Sequence, residues 1–334
     1  MRVLERRLTR LLAVLLAMTL VATAGDGGSV SGTINVSGSS TVAPVTTRVA
    51  EYWEDIEPGV TVNVDGPGTG DGFALFCDGE TDISDASRPI KESEAETCAA
   101  NGIEYIELKV AIDGLAVITH PSNTLECLSF ADAYALVGPE SQGFRSWSDA
   151  QEIATELGSS TEMPDLDLTV TAPGEESGTY DSFVELVIAK IADEREQEHQ
   201  TRPDYQSSGD DNVILQGIEG ARGSFGWVGY AYAVEAGDAV KMMPMSKDPG
   251  GECVAPTPET VSDGSYPIAR DLYIYVNAAT LADSPALEAF IDFYLSDEGI
   301  ASVPEVGYVA LHDDDLEATR SVWSAKETGT RDGG

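Results

Sequence analysis

Three stretches of glycine and small hydroxylated residues stand out for the chemistry they offer. They are Ser37-Gly-Ser-Ser-Thr41, Gly66-Pro-Gly-Thr-Gly70 and Glu176-Ser-Gly-Thr179. Each falls between an apolar run of strand character and an amphipathic run of helical character. A loop so placed presents unpaired backbone N–H groups at a helix N-terminus, where the dipole favours an anion. Glycine lets the backbone approach a ligand closely, and Ser or Thr adds a hydroxyl donor with little bulk. An ordinary N-cap accounts for any one such loop. Three in series beside a cation point to an anion site. The cation is Arg88, in Ser87-Arg88 at the end of a strand. Its planar fork of donors matches a tetrahedral oxyanion two bonds at a time. A surface ion pair is the ordinary use of such an arginine.

The elements that must position these loops follow from periodicity. Thr33–Val36, Val60–Val64 and Asp82–Ser84 read as short strands, separated by helices with Val45, Val49 and Trp53 on one face and Phe73 to Cys77 on another. Ile106 to Thr119 is long and apolar apart from Asp113-Gly114, and reads as a strand crossing between two lobes. Ser129 is placed to cap a helix carrying Phe130, Tyr134 and Val137. Leu168–Thr171 leads into the third loop and a helix bearing Phe183, Leu186, Val187 and Ile191. Asp271–Val276 is a second long strand able to return to the first lobe. The alternation predicts an α/β fold of two lobes, with two hinge strands and an interlobe cleft. The expected division is lobe 1 over 31–113 plus 270–325, lobe 2 over 114–269, and a disordered tail over 326–334.

The first residues are excluded from that reasoning. Arg2, Arg6, Arg7 and Arg10 precede an apolar run from Leu11 to Val21, followed by Ala22-Thr23-Ala24. That order reads as a signal peptide over 1–24, too short for a comfortable membrane span. The chain is therefore expected to be exported, to the periplasm or beyond, and soluble after cleavage. The formal charge is −39, and without the signal region 15 basic and 57 acidic residues remain. So negative a surface excludes nucleic acid and anionic membranes as partners. It also means that an anion must be held by local donors, not by the overall field.

Four cysteines, Cys77, Cys98, Cys127 and Cys253, suit disulfides in an exported chain, and four permit three pairings. Cys77–Cys98 with Cys127–Cys253 is preferred, the first clipping a local segment and the second tying parts of one lobe. No CxxC pair or Cys/His cluster marks a metal site, and no cofactor is expected.

The runs SGSSTVAP, GPGTGDGF, ETDISDASRPI, VAIDGLAVITHP, GEESGTYDSF, FGWVGYAY and YPIARDLYIYVN, in that order, resemble the phosphate-binding proteins of Pst-type ABC transporters. The resemblance implies a type II periplasmic-binding-protein fold, a buried phosphate, the permease subunits of a transporter as partner, and a monomer. Carried onto this chain, the family's ligands fall on Ser40, Thr41, Thr69, Ser87, Arg88, Ser177, Gly178 and Thr179. The chain departs from some members in having Pro173 where they have an Arg and Ser87 where they have an Asp. Arg88 is the expected replacement for the cation. Asp113 or Asp71 is the expected acceptor for the proton of phosphate, which ionised sulfate lacks; a structural turn and a helix-end charge are the ordinary roles of these two.

Two rivals are weighed against this reading. A binding protein for another tetrahedral oxyanion, such as sulfate or molybdate, keeps the fold and changes the ligand. A secreted serine hydrolase needs Ser39 or Ser40 as nucleophile with His120 or His312 as base. It lacks a G-x-S-x-G elbow, so no enzyme activity is expected.

Overall fold

A computed structural model describes residues 30–175 and 177–331. The signal-peptide assignment to 1–24 lies outside them. The first lobe opens with parallel strands at one end of the sheet. β1 (Gly32–Gly38) pairs with β2 (Val60–Asp65) on one side and β3 (Ile83–Ala86) on the other. Parallel neighbours require crossover helices. These are α1 (Ala43–Ile56) and α2 (Thr69–Cys77). In α1, Val45, Val49 and Trp53 are buried at four-residue spacing, and Pro44 starts the helix where no N–H is needed. The helix α3 (Glu92–Ala100) is joined to α2 by the Cys77–Cys98 disulfide.

β4 (Tyr105–Thr119) is the element both lobes share. Its 15 residues are almost wholly buried, which is why they read as one apolar run. Up to Gly114 it pairs with β9 (Ala269–Asn277), and from Leu115 onward with β7 (Ser224–Gly229). Between the two partners stand Asp113 and Gly114. A Cβ on Gly114 would lie 2.6 Å from the Val261 side chain, so no larger residue fits without a shift.

The second lobe continues with α4 (Phe130–Val137), capped by Ser129 through the Asp132 N–H, and β5 (Thr169–Ala172). Next comes α5 (Gly178–Phe183), which runs on through a π-turn, Val184–Ile188, to Glu194. β6 (Gln206–Ser207), α6 (Asp211–Gly220), β7, α7 (Tyr230–Ala236) and β8 (Lys241–Met242) complete this part. The sheet order is β2-β1-β3-β9-β4-β7-β5-β6, with β8 also on β4. The Cys127–Cys253 disulfide lies beside a small pairing of Leu128–Ser129 with Met245–Ser246. Both bridges have the pairing preferred from the sequence.

Two apolar cores flank the crossing strand. One gathers Val36, Val45, Trp53, Leu108, Ile274 and Phe290, the last from α8 (Pro285–Tyr294). The other gathers Tyr134, Trp147, Phe183, Phe225 and Trp227, where Phe183 and Trp227 stack with ring centroids 4.1 Å apart. α9 (Asp313–Ala325) then packs along β4, with Lys109 of β4 set between Asp271 and Asp315.

The tail corrects an expectation. Residues 326–331 are not disordered: Gly329 bridges Ile106, its N–H donating to the Tyr105 carbonyl, and the Arg331 N–H donates to Glu107 Oε1. The first half of β4 has β9 on one side; on its other edge the tail takes up the Tyr105 carbonyl, and Val309 pairs with Ile112. Composition alone reads such a segment as solvated.

Candidate functional site

The C-terminal ends of β1, β2 and β3 lie side by side, so their loops converge at one rim of the sheet. Gly38 ends β1 at φ +152°, and a Cβ there would sit 2.0 Å from the Asp85 carbonyl oxygen. Only glycine permits that approach. The next residue, Ser39, works locally: its N–H donates to the Asp85 carbonyl, and its hydroxyl accepts from the Thr41 and Val42 N–H groups. Ser40 and Thr41 are thereby turned toward the second lobe. The second loop is pinned to the first by the Gly68 N–H on the Gly38 carbonyl, at 2.8 Å. Thr69 and Ser87 share a hydroxyl contact of 3.1 Å, and the Ser87 N–H donates to Thr69 Oγ1.

From the second lobe, α5 points its first turn at these loops. Ser177 caps it by accepting from the Thr179 N–H. A Cβ on Gly178 would stand 3.6 Å from the Ser40 carbonyl oxygen and 3.7 Å from Thr41 Cα, so the two lobes touch here. The Ser40 hydroxyl donates to Asp181 Oδ2 at 3.1 Å, and the Thr41 and Ser182 hydroxyls are 3.3 Å apart. The structure thus brings Ser40, Thr41, Ser177, Gly178 and Thr179 together, with Thr69 and Ser87 on the adjoining loops.

It does not bring Arg88 there, which corrects the expectation that Arg88 replaces the missing cation. Both of its terminal nitrogens bond Glu94, at 2.7 and 2.8 Å, and its guanidinium lies over the Phe73 ring. Glu94 is the third residue of α3 and also accepts from the Lys91 N–H. That capping geometry fixes the carboxylate where it meets the arginine fork. Burial disfavours the Glu94 charge, but Arg88 and the Lys91 amide outweigh it and hold the carboxyl below its ordinary range.

The cation between the lobes is Arg270, opposite Asp113 in the register of β9 on β4. Its side chain is 11% exposed. Nε donates to Asp113 Oδ2 at 3.2 Å, Nη1 to Glu185 Oε2 at 2.6 Å, and Nη2 to the hydroxyls of Ser182 (2.9 Å) and Thr41 (3.3 Å). Asp113 is almost completely buried, and burial outweighs the Arg270 charge, so its carboxyl is raised above the ordinary value. Burial likewise raises Asp181, against the Ser40 hydrogen bond. Asp71 is exposed in the first turn of α2. Arg270, Asp181, Ser182 and Glu185 went unread in the sequence. The available signal was Arg270-Asp271 at the start of an otherwise apolar hinge strand.

The histidines stand elsewhere. His120 contacts Ser122, and His312 contacts Ser262 at 2.6 Å. Ser40 is bonded to a carboxylate and Ser39 to the backbone, so the hydrolase constellation does not assemble.

A two-lobed α/β molecule with donors converging from both lobes around a buried arginine at the hinge defines the class of solute-binding proteins. Comparison with known proteins agrees. A family described as a PBP superfamily domain matches residues 23–298. Protein SphX of Synechocystis sp. is 34% identical over 98% of this chain and 93% of its own length. Phosphate-binding protein PstS of Staphylococcus haemolyticus is 34% identical over 89% of this chain and 90% of its own. The crystal structure of a possible phosphate binding protein from Planctomyces limnophilus has 36% identity and a TM-score of 0.81, covering 90% of this chain and all of that one. The chain belongs to the PBP superfamily and, within it, to the PstS-like family of these relatives.

Proposed function

We propose that this protein is an extracytoplasmic substrate-binding protein that captures inorganic phosphate between its lobes and delivers it to the permease subunits of an ABC transporter. It acts as a monomer and performs no catalysis. The observation that carries this reading is Arg270, a buried guanidinium at the hinge whose Nη2 edge faces the Thr41 and Ser182 hydroxyls. An oxyanion entering there meets that edge, the hydroxyls of Ser40, Thr41, Thr69, Ser87 and Thr179, and the backbone at Ser177-Gly178. Asp113 orients Arg270 and is the acceptor for a phosphate proton. The sequence relationship to PstS supports phosphate in particular, and the deduced signal peptide supports export. No described helix is long and apolar enough to cross a membrane.

The lobes close about hinges at Asp113–Gly114 and Ala269–Arg270, where β4 changes partners and β9 begins. Closure excludes water, so each hydrogen bond to the ligand strengthens. One guanidinium with a set of neutral donors also suits other tetrahedral oxyanions, which keeps sulfate and molybdate as the second reading. Isothermal titration of the ligand-stripped protein separates them. Tight one-to-one binding of phosphate with sulfate silent is expected. Preference for sulfate or molybdate would move the substrate, and silence toward all three would sink the proposal.

A further inference from the structure

The C-terminal residues beyond the matched family region carry a group aimed at the same site. Residues 307–312 pass between the lobes beside β4. Val309 and Ile112 exchange both backbone hydrogen bonds, at 2.8 and 2.9 Å, one residue before Asp113. Gly307 takes φ +87°, and a Cβ on it would lie 2.8 Å from the Tyr232 ring. That bend therefore requires glycine. Held from both sides, Tyr308 packs its ring into the core of the first lobe and is only 7% exposed.

Its hydroxyl leaves that core and reaches the site. A Cβ on Gly178 would stand 3.4 Å from the Tyr308 oxygen. Asp113, Arg270 and Asp181 all act on it electrostatically. Burial, with the two carboxylates adding to it, pushes the phenol above its usual range, so the proton stays on. The hydroxyl has no hydrogen-bond partner among the described residues. A phenylalanine would fill the ring's place equally well, so packing does not explain the oxygen.

We infer that Tyr308 is a ligand-contacting residue of the cleft, donating its hydroxyl proton to an oxygen of the bound anion. This deepens the proposed phosphate function and rests on it. A phenol adds a donor without adding charge. Fixed by the Val309–Ile112 bridge, it sits where the first lobe, the second lobe and the hinge meet, so it contacts ligand only in the closed form.

The test is Tyr308→Phe in the signal-free chain, titrated with phosphate beside the unaltered protein, with ligand-free melting measured on both. A lost neutral donor is expected to weaken binding about 5- to 20-fold, while the ligand-free Tm stays within about 2 °C. Equal phosphate affinities would overturn the inference and leave the phosphate reading standing. A large fall in ligand-free Tm with affinity unchanged would also overturn it, by showing a structural role. If the unaltered protein ignores phosphate, the functional reading fails and takes this inference with it. Should the variant not fold, a phosphate complex of the unaltered protein decides. A Tyr308 oxygen within about 3 Å of a phosphate oxygen supports the contact; a protein group in that place refutes it.

Discussion

Asp85 lies directly beneath the first loop, and replacing it with asparagine should make the protein more stable as the pH rises. The side chain is fully buried in β3. Oδ1 accepts the Thr46 hydroxyl at 3.0 Å, Thr46 in turn touches Tyr294, and Oδ2 has no partner among the described residues. Burial pushes the carboxyl up from 3.8 to about 8. The sign follows from linkage. The folded state holds the proton more tightly than the unfolded chain, so below pH ~4 Asp85 costs nothing. The cost grows as pH climbs from ~4 and levels off above ~8. At about 1.4 kcal/mol per pH unit, the interval from pH 5 to pH 8 costs ~3–4 kcal/mol. Asparagine resembles the neutral carboxyl and does not titrate. The Tm of Asp85→Asn should therefore gain on that of the unaltered protein by on the order of 6–8 °C between pH 5 and pH 8. Salt must be held constant across the series, because a chain of charge −39 responds to screening as well. Melting curves that stay parallel from pH 5 to pH 8 would refute the reasoning, since a group that does not change its proton between states has no linkage to show.

The two arginines give opposite expectations. Arg270→Ala should weaken phosphate binding by about 100-fold or more, since it removes a charged donor and strands Asp113. Arg88→Ala should stay within about threefold, because Arg88 serves Glu94 instead; the reverse order in titration calorimetry would reinstate Arg88. Gly38→Ala should cost about 3–5 kcal/mol in denaturant unfolding, since its Cβ would fall 2.0 Å from a backbone oxygen. Unchanged stability would show that the β1 loop can relax.

What the sequence revealed depended on whether the signal was local. Strand–loop–helix alternation is carried by adjacent residues, so the loops holding Ser40, Thr41 and Ser177 to Thr179 were legible as loops leading into helices. β4 was legible because a strand buried on both faces reads as an unbroken apolar run. Arginine placement was not local. Arg88 and Arg270 each stand beside a strand end, and only tertiary pairing tells them apart. Glu94, six residues past Arg88, claims its fork, whereas Arg270 meets Asp113 across 157 positions. Tyr308 was hidden for the same reason, since its role depends on a bridge to Ile112. The tail misled because its order comes from an open edge of β4, which no property of residues 326–331 announces.

An acidic protein that binds an anion must limit the opposition of its own field. Surface charges farther away than the Debye length, ~8 Å at physiological salt, are largely screened, so the −39 total says little about the cleft. What matters is the buried pair Arg270–Asp113, with the more exposed carboxylates of Asp181 and Glu185 close by. Fully ionised, that group is itself negative and would repel phosphate. Burial raises Asp113 and Asp181 above their ordinary values, which makes both readier to take up a proton when a further negative charge arrives. The remaining donors are hydroxyls and backbone N–H groups, which carry no charge to oppose. Binding in such a site is governed by where protons lie. A proton brought in by the ligand or taken up by Asp113 or Asp181 lowers the negative charge around Arg270, so the proton count on binding is set by this group.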